Sequence, residues 1–129
     1  MKHLLPEGWK KPRGYSNGIV AEGKQVFVAG MIGWNREEEV AEGFVAQFAV
    51  ALENTVAVLA EADAGPEHVV RMTWYVKDLE NYRDNLAEIG AVWRDIMGKH
   101  FPAMAVVGVT ELVEPGAMIE IETTAVVPN

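Results

Sequence analysis

Between residues 40 and 97 the apolar spacing changes period twice, and that pattern constrains the fold more than any other feature of the chain. Val40, Phe44, Phe48, Leu52, Val56 and Leu59 recur at steps of three and four, which draws one apolar stripe along a helix. Val70, Met72, Trp74 and Val76 then alternate with Arg71, Thr73, Tyr75 and Lys77, the signature of a half-buried strand. Helical spacing returns over Tyr82, Leu86, Ile89, Trp93 and Ile96-Met97. Each helix has one face to bury, and a sheet between them in sequence supplies the surface, so the chain reads as α+β.

The remaining segments complete a ββαβαββ order, with two helices on one face of a mixed sheet. Residues 1–14 read as an irregular lead-in punctuated by Pro6, Gly8, Pro12 and Gly14. Ser16–Ala21 and Lys24–Ala29 flank Glu22-Gly23, a hairpin signal. Gly30–Asn35 breaks the strand pattern and reads as strand end and loop. Asn35 stands where it can cap the first helix, with Glu37, Glu38 and Glu39 in its first turn. Ala64-Gly65-Pro66 ends that helix, and Gly98 ends the second. His100-Phe101-Pro102 forms a crossing to strands over Ala103–Thr110 and Ala117–Val127, joined around Glu114-Pro115-Gly116. The strands are apolar enough to predict burial on both sheet faces, and self-association is the simplest cover for the second. With no repeat and no linker, residues 1–129 form one domain.

Composition narrows the function. Acidic residues outnumber basic ones, 19 to 11, for a formal net charge of −8; that repels phosphate backbones and argues against nucleic-acid partners. Cysteine is absent, which removes thiolate nucleophiles, disulfides and cysteine-ligated metals. No segment reads as a secretory signal or a membrane span, so the expectation is a cytoplasmic protein without membrane attachment.

Several chemistries are excluded by missing motifs. Ser16 is the only serine, and no nucleophile elbow surrounds it. No phosphate-cradling glycine loop is present. His3, His68 and His100 are far apart in sequence, and Glu37–Glu39 as adjacent helix positions do not converge on one ion, so no metal site is signalled. Two positive features remain. Ile119-Glu120-Ile121-Glu122 sets two carboxylates on one strand face, either a water-orienting base at an interface or a wet sheet face. Tyr15, Trp34, Trp74 and Met104 lie near the loops, as pocket walls or as packing.

The order of elements and five local runs resemble the Rid/YjgF family, also labelled endoribonuclease L-PSP. The runs are Val26-Phe27-Val28-Ala29-Gly30, Leu59-Ala60-Glu61-Ala62, Tyr75-Val76-Lys77-Asp78-Leu79, Phe101-Pro102-Ala103 and Ile119-Glu120-Ile121-Glu122. The resemblance covers the chain from Gly14 to Val127. It implies a chorismate-mutase-like subunit, a homotrimer with a central barrel, and three clefts between subunits. It also implies hydrolysis of reactive enamines or imines to a carbonyl product and ammonia, with no cofactor and no metal. In that chemistry an arginine clamps the substrate carboxylate, and a glutamate with backbone groups positions water.

Carried over by position, the resemblance assigns the water-orienting role to Glu120. It matches Tyr15, Ala29-Gly30 and Ala103-Met104 to family positions. The reading built on it has the backbone around Gly30 and Ala103-Met104-Ala105 hold the polar end of the ligand, with Ala29 beside it, and Tyr15 with Trp74 or Trp34 wall the pocket. The chain departs from the family pattern in three places. Ala29 stands for a serine, Met104 stands for the clamping arginine, and Leu86, between Asn85 and Ala87, stands for a polar residue. The expected pocket is therefore more apolar and suited to a larger substrate, with Arg71, Arg94 or Lys99-His100 either replacement cations or ordinary surface charge. A trimeric ligand-binding or regulatory protein without catalysis is the alternative these losses raise. Ribonuclease action is the reading the negative charge disfavours. Glu122 shares the strand face of Glu120, so the sequence does not separate their roles.

Overall fold

The computed structural model describes residues 1–129 as an α+β domain of six strands and three α-helices. The strands are β1 (Lys2–Leu4), β2 (Gly18–Val20), β3 (Lys24–Ile32), β4 (Val69–Val76), β5 (Ala103–Gly108) and β6 (Ile119–Val127). The helices are α1 (Phe44–Ala60), α2 (Leu79–Arg83) and α3 (Leu86–Met97). No helix is long and apolar enough to cross a membrane. The main sheet runs in the order β3-β6-β4-β5. β6 is antiparallel to both neighbours, whereas β4 and β5 are parallel, as a crossover through helices requires.

The helical stripe seats where its period demands. Phe48, Leu52 and Leu59 of α1 are wholly buried in one cluster with Met72 of β4 and Ile119 and Ile121 of β6. Ile89, Trp93 and Met97 of α3 close the other side of the same cluster. Phe48 is the central plug, its ring centroid 4.8 Å from that of Trp74.

Four local expectations are corrected. β2 does not form a hairpin with β3. It pairs with β1, so the lead-in contains a strand, and Gly18 leaves room for Leu4. β3 pairs with β6 along its length. Nor does β3 stop at Ala29: three steps of β3, Val28 to Met31, span two steps of β6, Thr123 to Ile121, a bulge at Ala29-Gly30 that carries the strand on to Ile32.

Asn35 does not cap α1. Its Oδ1 accepts the N–H groups of Glu37 and Glu39 at 2.9 and 3.0 Å, so its side chain closes a tight turn in which Glu38 adopts φ 61°. The three glutamates sit in that exposed turn, and α1 begins only at Phe44. The second helix is in fact two. Asp78 caps α2 by accepting the Glu80 N–H at 3.1 Å. Asn85 then breaks the path, donating from Nδ2 to the Asn81 carbonyl at 2.6 Å.

The two sheet faces differ in kind. The helix-covered face carries Met72, Trp74, Val76, Ile119, Ile121 and Ala125, all buried. The opposite face, expected to be apolar, is mixed: Phe27, Arg71, Thr73, Tyr75, Glu120, Glu122 and Thr124 occupy neighbouring register positions there. Phe27 is 71% exposed on it.

Candidate functional site

A cavity of about 530 Å³ opens on the helix side at the β5 edge. Trp74 of β4 and Met104 and Val106 of β5 form its floor, Tyr82, Leu86, Ile89 and Trp93 of α2 and α3 one wall, and Arg13–Tyr15 with Phe101 the other. Each wall follows from local sequence. Alternation in β4 turns Trp74 to the helices, opposite Ile121 and Val106. The α3 stripe brings Trp93 to within 5.9 Å of Trp74, ring centroid to ring centroid. Phe101 stacks on Trp93 at 6.2 Å and 14°.

The segment carrying Tyr15 is tied down one residue later. The Ser16 N–H donates to the Pro102 carbonyl at 2.9 Å, and Ser16 bridges to Ala103 as a short extension of the sheet. The Ser16 hydroxyl donates to the Phe101 carbonyl and lies 2.7 Å from Nδ1 of His3. Its proton is committed to a carbonyl, so His3 donates to it rather than activating it, and Ser16 is structural. His100 is similarly engaged: its Nε2 donates to the Val69 carbonyl at 2.6 Å.

Polar satisfaction inside the cavity is uneven. Trp93 Nε1 donates to the His100 carbonyl at 3.1 Å. Trp74 is 4% exposed, and its Nε1 has no acceptor at all. Arg13 and Arg94 line the cavity without ion-pair partners; the ion pair of the chain is Glu80–Arg83, and the His68 Nδ1 near Glu67 accepts the Gly65 N–H at 2.9 Å. No acidic residue lines it.

A second cluster lies across the sheet. The bulge at Ala29-Gly30 sets Gly30 directly under the Glu120 carboxylate, so closely that a Cβ at Gly30 would collide with it. Glu120 neighbours Tyr75 across the β4–β6 register, and the Tyr75 hydroxyl donates to Glu122 Oε1 at 3.0 Å. That bond, loss of hydration and the negative field of Glu122 and Glu120 push the Tyr75 pKa above its ordinary 10.0, with Arg71 opposing. Glu122 is thus engaged by a phenol, whereas Glu120 rests on bare backbone.

The expected site residues therefore fall into two groups. Tyr15, Trp74 and Met104 line the cavity, with Ala103 beside them under the Ser16 bridge. Ala29, Gly30 and Glu120 form the other group, on β3 and β6. Because β3 and β5 are opposite edges of the sheet, one chain does not bring Met104 and Gly30 to one point. Ala105 is exposed and does not line the cavity, and neither does Trp34, whose carbonyl accepts from Asn54 Nδ2. Of the replacement cations, Arg94 is in the cavity, Arg71 is on the opposite sheet face, and Lys99-His100 border a smaller neighbouring cleft. Sequence reasoning missed Arg13, placed in the irregular lead-in, and read Tyr82 and Trp93 only as helix packing.

A helix-covered mixed sheet with an aromatic cavity at one edge and a carboxylate-over-glycine rim at the other describes a small α+β domain of Rid type. Residues 10–127 match the family described as endoribonuclease L-PSP, and the chain belongs to that family, the Rid/YjgF group. It is 33% identical over 113 residues to the RutC family protein UK114 of Drosophila melanogaster, covering 86% of this chain and 78% of that protein. The crystal structure of YyfB from Yersinia pestis, a Rid-family protein described as of unknown function, superposes with a TM-score of 0.85 at 32% identity, covering 98% of each chain. RidA from an Antarctic Psychrobacter superposes with a TM-score of 0.71 at 28% identity, covering 98% of this chain and 94% of that one.

Proposed function

We propose that this protein is a Rid-type deaminase that hydrolyses a reactive enamine or imine in a cleft between subunits of a homotrimer. The observation that carries this reading is the split site. The Gly30–Glu120 rim and the Tyr15–Trp74–Met104 cavity lie at opposite edges of one sheet, so only a second copy unites them.

In the reaction an enamine first takes a proton on carbon and gives one up from nitrogen, tautomerising to the imine. Water held by Glu120 attacks the imine carbon, its proton passing to the carboxylate and its electron pair forming the C–O bond. The carbinolamine then collapses, the C–N bond breaks, and ammonia leaves with the returned protons while the carbonyl forms. The bare backbone at Gly30 leaves the room that the Glu120 carboxylate occupies. Met104, Trp74 and Leu86 make the pocket apolar and favour a substrate larger than the simplest imino acids. No step calls for a cofactor.

Ammonia release from freshly generated imines, ranging from small amino-acid imines to larger conjugated ones, tests this. Turnover of the larger members, lost in Glu120→Ala of unchanged oligomeric mass, is the expected result. A general base contributes about 10²–10⁴-fold; unchanged turnover in that variant refutes the mechanism. The absence of a serine hydroxyl at Ala29 and of a guanidinium at Met104 supports a second reading, a ligand-binding protein without chemistry. Saturable binding with no turnover across the panel selects it.

A further inference from the structure

We propose that the cavity takes a flat aromatic or conjugated carboxylate, its ring bounded by Tyr15, Tyr82 and Phe101 above Trp74 and Trp93 and its carboxylate held by Arg13 and Arg94. This deepens the deaminase reading by naming the class of substrate, and it rests on the cavity being the reaction pocket.

Three observations converge on it. The first is size: a volume of about 530 Å³ lies within the range of roughly 300–1,000 Å³ that encloses ring-sized ligands. An acid of pyruvate's size would displace only a few waters of about 30 Å³ each and leave most of the space wet. The second is shape. Trp74 and Trp93, packed on each other and 4% exposed, close the bottom of the cavity, and the more open Tyr15, Tyr82 and Phe101 stand around it, a setting in which a flat ring finds offset or edge-to-face contacts.

The third is charge. In a chain of net charge −8, the cavity has two arginines and no carboxylate on its lining, and neither arginine is engaged in an ion pair. The Arg94 guanidinium lies back over Gly90, one turn earlier on α3, where the missing side chain gives it room at the cavity wall. Arg13 approaches from the opposite wall, next to Gly14 and Tyr15. Guanidinium groups are suited to planar, paired hydrogen bonding of a carboxylate. The clamp that Met104 does not provide on the floor is thus supplied from two walls, at a distance from β5 that suits a longer substrate.

Calorimetric titration of the native oligomer with 1-naphthoate, its neutral amide 1-naphthamide, and pyruvate tests the assignment. The expected order is naphthoate first, the amide about tenfold or more weaker, and pyruvate without measurable binding. Arg13→Gln and Arg94→Gln should each weaken naphthoate by about tenfold while leaving the amide unchanged. Both side chains are exposed, so both variants are expected to fold. Equal binding of acid and amide overturns the proposal, as does indifference of naphthoate to both substitutions. Naphthoate binding without turnover of any imine upholds this inference and removes the deaminase; turnover of pyruvate-sized imines without naphthoate binding does the opposite.

Discussion

Thr123 faces the helices from the middle of β6, 2% exposed, and its hydroxyl has no hydrogen-bond partner. A buried hydroxyl left unpaired costs about 1–3 kcal/mol in lost hydration. Thr123→Val keeps the shape and removes that loss, so it should stabilise the fold by about 1 kcal/mol. Urea midpoints at matched protein concentration measure it; a lower midpoint for the variant would show that the hydroxyl is satisfied. On the other face of the sheet, Tyr75 of β4 keeps its proton to a higher pH than a free tyrosine, chiefly through its bond to Glu122 of β6. Above pH 10 the unfolded chain gives up that proton while the native one retains it. The stabilisation is therefore complete below that pH and disappears as pH rises through the native value. Difference absorbance titration against Tyr75→Phe should show a midpoint above 10.0, returning toward it in Glu122→Gln. Neither effect is visible in sequence. The alternation Ile119-Glu120-Ile121-Glu122 tells which way the carboxylates face, but only the β4 register puts a phenol on Glu122 and leaves Glu120 over glycine.

Elements whose burial decides their conformation were legible: α1 from Phe44 onward, β4, α3 and β6 follow their hydrophobic period. Where a polar side chain or a backbone irregularity decides instead, the pattern misleads. Asn35 spends its side chain on a turn, which delays α1 by a full loop. Gly30 resembles a strand terminator, yet it sits in a bulge where the Glu120 side chain takes the place of a Cβ, and the strand continues. That bulge carries the element-scale prediction. In Gly30→Ala the new Cβ meets the free end of the Glu120 side chain rather than backbone, so the carboxylate swings aside at little cost to the fold. Ammonia release should fall by about tenfold or more, within the range a positioned base supplies, while the thermal midpoint stays near wild type. A full-activity variant would show that water is held elsewhere. The candidate site was half legible for the same reason. Tyr15, Met104 and Glu120 belong to runs with fixed positions on strands or beside them, whereas Arg13 and Arg94 reach the cavity only through the packing of the lead-in and α3 around β5.

At the scale of the molecule, the uncovered sheet face is the unfinished part of the fold. Phe27 stands 71% exposed on β3, with Thr124 beside it in register and Arg71, Tyr75 and the two glutamates beyond. A single chain leaves this face to water. The Rid-type reading closes it with two further copies, which also carries the Gly30–Glu120 rim of one subunit to the aromatic cavity of the next. Burying a phenylalanine is worth about 1.5–3 kcal/mol, and in a cyclic assembly that contribution recurs at each interface. Phe27→Asp removes it and adds a charge to a face already bearing Glu120 and Glu122. Sedimentation of the wild type should give a single species of about three times 14.2 kDa, and the variant should sediment as the monomer. The decisive feature is the coupling: Phe27 lines neither the cavity nor the Gly30 rim, yet its replacement should abolish ammonia release together with assembly. A variant that dissociates and still turns over substrate would place the whole site within one chain and remove the reason for a shared cleft.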